Sequence, residues 1–134
     1  MTRPPVRQVT TPAVPEPPPG LFSNCLVAGG LIHVSGQHAG TPGGGVLGEG
    51  SVAEQTRHAL RKVLALVEAA GGSAASVVKL TVYLTDMSRK AEVSAARREV
   101  FADPMPCSTL VGVAALASPG LLVEVDALAV AAAT

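Results

Sequence analysis

The sequence predicts an α+β fold in which two helices cover one face of a β-sheet. Three observations lead there. Strand-like segments outnumber helical ones, in the order β-β-β-α-β-α-β-β with the first strand weak. The two helical stretches are amphipathic, each with an apolar stripe for the sheet. Apolar residues make up 48% of the 134 positions and aromatics only 2%, so the core is built from Val, Leu and Ala in one domain-sized unit.

The chain opens with Met1–Pro19, rich in proline, read as an extended lead-in to a single domain over 20–134. Within it, Val6–Thr10 can pair briefly as an edge strand. Cys25–Val27 and Leu31–Ser35 read as strands around a Gly29-Gly30 hairpin signal. The loop Gly40–Gly50 holds three successive glycines but lacks the lysine and hydroxyl ending of a phosphate-binding loop, and is read as a plain flexible loop. Ser51 and Glu54 form a capping-box signature for a helix to about Ala70, with Leu60, Val63, Leu64 and Val67 inward and Gly71-Gly72 as its stop. Ser76–Thr85 is a strand in which Val78, Leu80, Val82 and Leu84 alternate with Lys79, Thr81 and Tyr83. Ser88 is placed to cap a helix over Arg89–Ala102, with Val93, Ala96 and Val100 inward. Cys107–Leu116 and Leu121–Ala132 complete the sheet around a Ser-Pro-Gly break. The strands are apolar on both sides, so the second sheet face is expected to be covered by further copies of the chain.

Composition narrows the function. The formal net charge is zero and aromatics are scarce, which argues against a nucleic-acid partner. The small basic cluster of Arg89, Lys90, Arg97 and Arg98 reads as a solvated helix face. No run reaches the length of a membrane span and no apolar leader is visible, so the expected location is cytoplasmic. Cys25 and Cys107 form neither a CxxC nor a metal spacing, and both are read as buried, reduced thiols. His33, His38 and His58 show no metal-type spacing either.

The clearest chemical signal lies in the last strand. Strand period two puts Leu122, Glu124, Asp126 and Leu128 on one face and Val123, Val125 and Ala127 on the other. Carboxylates inside an apolar strand are costly unless they are paired or face a cleft. Glu124 is therefore the candidate water-orienting acid/base, weighed against a carboxylate satisfied at an interface. Asp126 is placed either to raise the Glu124 pKa by like-charge repulsion, or to sit nearer solvent or bind a backbone donor.

Pro19-Gly20-Leu21-Phe22-Ser23, Leu31-Ile32-His33-Val34-Ser35-Gly36-Gln37, Gln55, Glu68-Ala69-Ala70-Gly71-Gly72, Val77 through Asp86, and Val123-Glu124-Val125-Asp126-Ala127-Leu128-Ala129 follow one another at characteristic spacing. Together they make the chain resemble the Rid family of reactive-intermediate deaminases, also called YjgF or L-PSP proteins, from about Thr10 to Ala129. The resemblance implies a chorismate-mutase-like α+β fold, a mixed sheet with two helices on one face. It also implies a homotrimer with small-molecule clefts between subunits and no metal or organic cofactor. Its best-known branch hydrolyses enamines and imines to keto acids and ammonia.

Carried over residue by residue, the resemblance makes Glu124 the catalytic glutamate. Phe22, Ser35, Gly36, Ser94 and Ser108 become substrate-binding positions. Ser108 stands where the active branch has a carboxylate-binding arginine, Phe22 where a tyrosine is frequent, Ser94 where an asparagine is common and Arg97 where an aromatic is common. Arg97 is read either as solvated or as a replacement for the missing fork. The implied function is hydrolysis of an imine- or enamine-type intermediate. The alternatives are a non-catalytic trimeric binding module and, after an older family name, an endoribonuclease.

Overall fold

The computed structural model describes residues 5–132. Six strands form one sheet in the order β1-β2-β3-β6-β4-β5: β1 is Val6–Gln8, β2 Cys25–Ala28, β3 Leu31–Gln37, β4 Val77–Leu84, β5 Cys107–Gly112 and β6 Val123–Val130. Helix α1 spans Val52–Ala69 and α2 spans Lys90–Val100. The sheet is mixed, because β4 and β5 run parallel while every other pairing is antiparallel.

The connections explain why both helices lie on one face. β3 and β4 are each antiparallel to β6, hence parallel to one another, and α1 is the crossover between them. α2 is the crossover from β4 to β5. Both steps move the same way along the sheet, so crossovers of the usual right hand stack their helices on the same side. β6 slots between β3 and β4 as the last strand laid down. The two final strands are therefore separated by β4 and do not pair with each other.

The core lies between the helices and the strand residues that face them. Ile32, Leu60, Val63, Leu66, Val67, Leu80, Val82, Leu84, Val93, Val123 and Val125 are all buried there. Leu66 is buried beside the predicted stripe, whereas Leu64 is half-buried at its edge. The α1 stop is a Schellman motif: Gly72 N–H donates to the Val67 carbonyl and Gly71 N–H to that of Glu68, with Gly71 at φ +92°. Ser51 accepts from Glu54 N–H at 3.1 Å. The Glu54 carboxylate turns to Arg57 instead, leaving the capping box half made. The lead-in lies along the domain, with β1 on the sheet edge and Val9 and Val14 buried.

Several elements differ from the sequence reading. Asp86, not Ser88, caps the second helical segment: its carboxylate accepts from Ser88 N–H at 3.0 Å over a 3-10 turn, Met87–Arg89, which leads into α2. Val78 is exposed, because the β4–β6 register shifts between Val77 and Lys79 and a bulge turns it out of the alternation. β5 stops at Gly112 and β6 starts at Val123, so the intervening loop is longer than expected. The Gly40–Gly50 loop is a defined turn, closed by bonds from Thr41 N–H to the Gly45 carbonyl and from Leu47 N–H to the Ala39 carbonyl.

The second sheet face is more polar than the composition implied. Leu26, His33, Lys79, Thr81, Asp126 and Leu128 line a groove of about 490 Å³ across it. Val123, Val125, Ala127 and Ala129 take the apolar work of β6 on the helix side.

Candidate functional site

Glu124 sits where three features meet. It pairs in register with Tyr83 of β4, it points to the open sheet face, and it lies against the β3 bulge. That bulge sets Ser35 and Gly36 opposite the single residue Asp126, between the Val34–Ala127 and Gln37–Val125 pairs. Gly36 is needed for close approach: a Cβ there would stand 2.8 Å from Glu124 Cδ and closer still to Oε1. The carboxyl is half-buried and has no hydrogen-bond partner among the described residues. Burial, then the charge of Asp126, push its pKa above the ordinary value.

Asp126 is bound where Glu124 is free. It accepts a hydrogen bond of 2.7 Å from the Tyr83 hydroxyl. Its donor is a tyrosine side chain and not the expected backbone group, and its charge also raises Glu124. The Tyr83 phenol is pushed up in turn, chiefly by this bond. Tyr83 was not singled out in the sequence. The signal for it was the alternation of Lys79, Thr81 and Tyr83 opposite Leu80, Val82 and Leu84, which puts it on the carboxylate face once β4 pairs with β6.

Ser35 belongs to the same neighbourhood. Its hydroxyl donates to the Ser23 carbonyl at 2.6 Å and so ties β3 to the segment carrying Phe22. Phe22 is largely exposed and shares a recess of about 300 Å³ with Gly36, His38 and Lys62. Lys62 Nζ holds that wall by donating to the His38 and Gly40 carbonyls at 2.7 and 3.0 Å. His38 Nδ1 accepts from Gly40 N–H, and burial followed by the nearby Lys62 charge holds its pKa down.

Ser94 and Ser108 form a second cluster. Ser108 is in register with Leu80, a core residue, so it points to the helix side of the edge strand. The Arg97 guanidinium comes down from α2 onto it, one NH group donating to Ser108 Oγ and the other to Ser94 Oγ at 3.4 Å. Arg97 is thus not merely solvated, and the basic cluster divides: Arg89 pairs with Glu92 at 2.7 Å while Arg97 lines a recess of about 260 Å³. The Cys107 thiol, expected to be buried, is exposed because β5 is the sheet edge. Cys25 is core as expected.

The predicted site residues therefore gather in two groups. Phe22, Ser35, Gly36 and Glu124 surround the β3 bulge; Ser94, Arg97 and Ser108 surround the end of α2. Among the described residues no three His, Cys, Asp or Glu side chains converge on a common point. No helix in that range is long and apolar enough to cross a membrane.

Comparison with known proteins identifies the family. The Endoribonuclease L-PSP family model matches residues 14–131. This chain belongs to the L-PSP family, also called YjgF or Rid. It is 35% identical over 112 residues to a RutC family protein of Pyrococcus horikoshii, covering 84% of this chain and 88% of that one. It is 33% identical over 125 residues to the 2-iminobutanoate/2-iminopropanoate deaminase of Bos taurus, covering 93% and 90%. A crystal structure of a Pseudomonas aeruginosa protein of unknown function superposes with a TM-score of 0.85 at 37% identity, covering 96% and 94%. The L-PSP fold, a mixed six-stranded sheet with two helices, is the one expected from the sequence.

Proposed function

We propose that this L-PSP chain hydrolyses small imines or their enamine tautomers to a carbonyl compound and ammonia, in a cleft completed by a second copy within a homotrimer. The observation that carries this reading is Glu124, an unpartnered, half-buried carboxyl with a raised pKa held against a glycine on an open face. Its ionised form takes a proton from water as the oxygen bonds to the imine carbon and the C=N π pair moves to nitrogen, and it returns that proton to the nitrogen to give the carbinolamine. The carboxylate then carries the hydroxyl proton to the amine nitrogen, and the C–N bond breaks as the oxygen lone pair forms C=O, releasing ammonia.

A second copy is part of the reading because Glu124 and the Ser94–Arg97–Ser108 group lie on opposite faces of one sheet. No single chain brings them to one ligand. The deaminase relatives support the substrate class by name. Ribonuclease chemistry is not part of the reading, since a chain of zero net charge with three aromatics offers neither phosphate stripe nor stacking platform.

The test is decay of imines generated by an amino-acid oxidase, with and without the purified protein. The expected result is acceleration by the native chain and a loss of about 100-fold or more in Glu124→Ala. Unchanged turnover in that variant would sink the proposal. Ligand-induced thermal shifts without any turnover would put the non-catalytic binding module in its place.

A further inference from the structure

We propose that Lys62 is an amine nucleophile that forms a Schiff base with small uncharged aldehydes, in the recess between the proline-rich lead-in and the turn after β3. The inference makes no use of Glu124 and is independent of the imine-hydrolysis reading.

The geometry begins at the nitrogen. Lys62 Nζ donates to the His38 carbonyl at 2.7 Å and to the Gly40 carbonyl at 3.0 Å. Among the described residues it makes no ion pair with a carboxylate. A neutral amine has two N–H donors and one lone pair. Two carbonyls therefore use its donors completely and leave the lone pair free to attack. The side chain is half-buried, and burial pushes its pKa down toward that neutral form.

The recess supplies the rest. It holds about 300 Å³, and Lys62 shares it with His38, Glu16, Val14, Pro17 and Pro18. The valine and the prolines make an apolar wall for a short hydrocarbon chain. Glu16, steadied by Asn24 Nδ2 at 3.3 Å, turns away anionic carbonyl compounds and favours the cationic imine once it forms. His38 Nδ1 accepts from Gly40 N–H, so the neutral ring carries its proton on Nε2, the nitrogen left to pass protons.

The step balances without an oxidant or a reductant. Nζ bonds to the aldehyde carbon as the C=O π pair moves to oxygen. One amine proton passes to that oxygen through the His38 ring or water, giving a carbinolamine. The nitrogen lone pair then forms C=N as the C–O bond breaks, and the hydroxyl takes a proton from solvent and leaves as water. The protonated imine keeps one N–H for one of the two carbonyls.

The experiment treats the native protein with propanal and cyanoborohydride at neutral pH, which reduces the imine to a stable secondary amine, and follows labelling by peptide mass mapping. The chain has three lysines, and the other two, Lys79 and Lys90, are exposed internal controls. Lys62 is expected to label about tenfold or more faster than either. With glyoxylate, an aldehyde that carries a carboxylate, the preference for Lys62 is expected to shrink by about fivefold, and Glu16→Gln is expected to restore it. Lys62→Arg, which keeps the charge and donors for both carbonyls, is expected to lose the fast label and to melt near the native temperature. A Lys62 that labels no faster than Lys79 and Lys90 overturns the proposal, because a lysine that only ties the turn together stays protonated and slow. A preference for Lys62 undiminished with glyoxylate overturns the uncharged class. Labelling is read without any turnover assay, so failure of imine hydrolysis and failure of this site are told apart.

Discussion

Glu124 and Ser108 stand on opposite faces of the same sheet. Ser108 is in register with Leu80 and Ala127, which face the helices, while Glu124 is in register with Tyr83 on the open side. Two strand spacings and three residues separate their Cα atoms, roughly 14 Å in the plane of the sheet. A small ligand lying on one face of a single chain does not reach both.

The close approach of Gly36 to Glu124 makes Gly36→Ala an informative variant. The nearest atoms the new methyl meets are the Glu124 side chain from Cγ outward, which can swing aside, so stability is expected to change by less than about 1 kcal/mol. The carboxyl, however, is displaced from the bulge. Turnover of imines is expected to fall by about tenfold or more with thermal unfolding nearly unchanged, since misplacing a proton-transfer group is costly to rate. Native turnover in Gly36→Ala would show that this contact does not position the carboxyl.

The raised pKa of Glu124 makes a signed prediction about stability. A carboxyl that binds its proton more tightly folded than unfolded destabilises the native state as pH rises above its ordinary value of 4.5. Glu124→Gln is therefore expected to raise the melting temperature at pH 7 to 8. Below pH 4, where the native carboxyl is protonated in both states, the gain vanishes. Melting curves across that range check it, and a gain independent of pH would contradict it.

Tyr83 is the only tyrosine and the chain has no tryptophan, so its phenol can be titrated by ultraviolet absorbance without interference. The bond to Asp126 places its midpoint above the ordinary 10.0. In Asp126→Asn the midpoint is expected to drop back toward that value. A midpoint unmoved by the substitution would mean the hydrogen bond is not made in solution.

Gln55 is fully buried on α1 and holds three backbone groups: its amide nitrogen donates to the Gly48 and Gly120 carbonyls, and its oxygen accepts from Leu122 N–H at 2.8 Å. Gln55→Leu removes the side-chain partner of all three, while the Gly48 carbonyl keeps its bond from Ser51 N–H and the Gly120 carbonyl lies at the surface. The expected cost is about 1 to 3 kcal/mol in denaturant unfolding.

Much of the scaffold was legible because its signals are local. The period-two alternation of β6 put Glu124 and Asp126 on one face before any partner strand was known. The Gly71-Gly72 stop and the Ser51 cap needed no tertiary information. What the sequence hid depends on strand order. That β6 lies between β3 and β4 determines which residues oppose Glu124, and that β5 is the edge determines that Cys107 is exposed. The Val78 bulge interrupts an alternation that read as regular, because a bulge is a property of the pair and not of one strand. Ser88 looked like a cap since it directly precedes the helical pattern, but the 3-10 turn moves the capping position back to Asp86. The seat of Arg97 on Ser108 required knowing how α2 lies along β5.

The split of the two residue groups between sheet faces carries a genetic consequence. In the proposed trimer, a chain altered at Arg97 and a chain altered at Glu124 would each spoil a different half of every cleft. Co-expressed, they can lend each other the intact half, and about a quarter of the interfaces in randomly mixed trimers would unite both. Two inactive alleles would then complement one another in a single cell, whereas both lesions placed on one chain, paired with an inert second copy, would not.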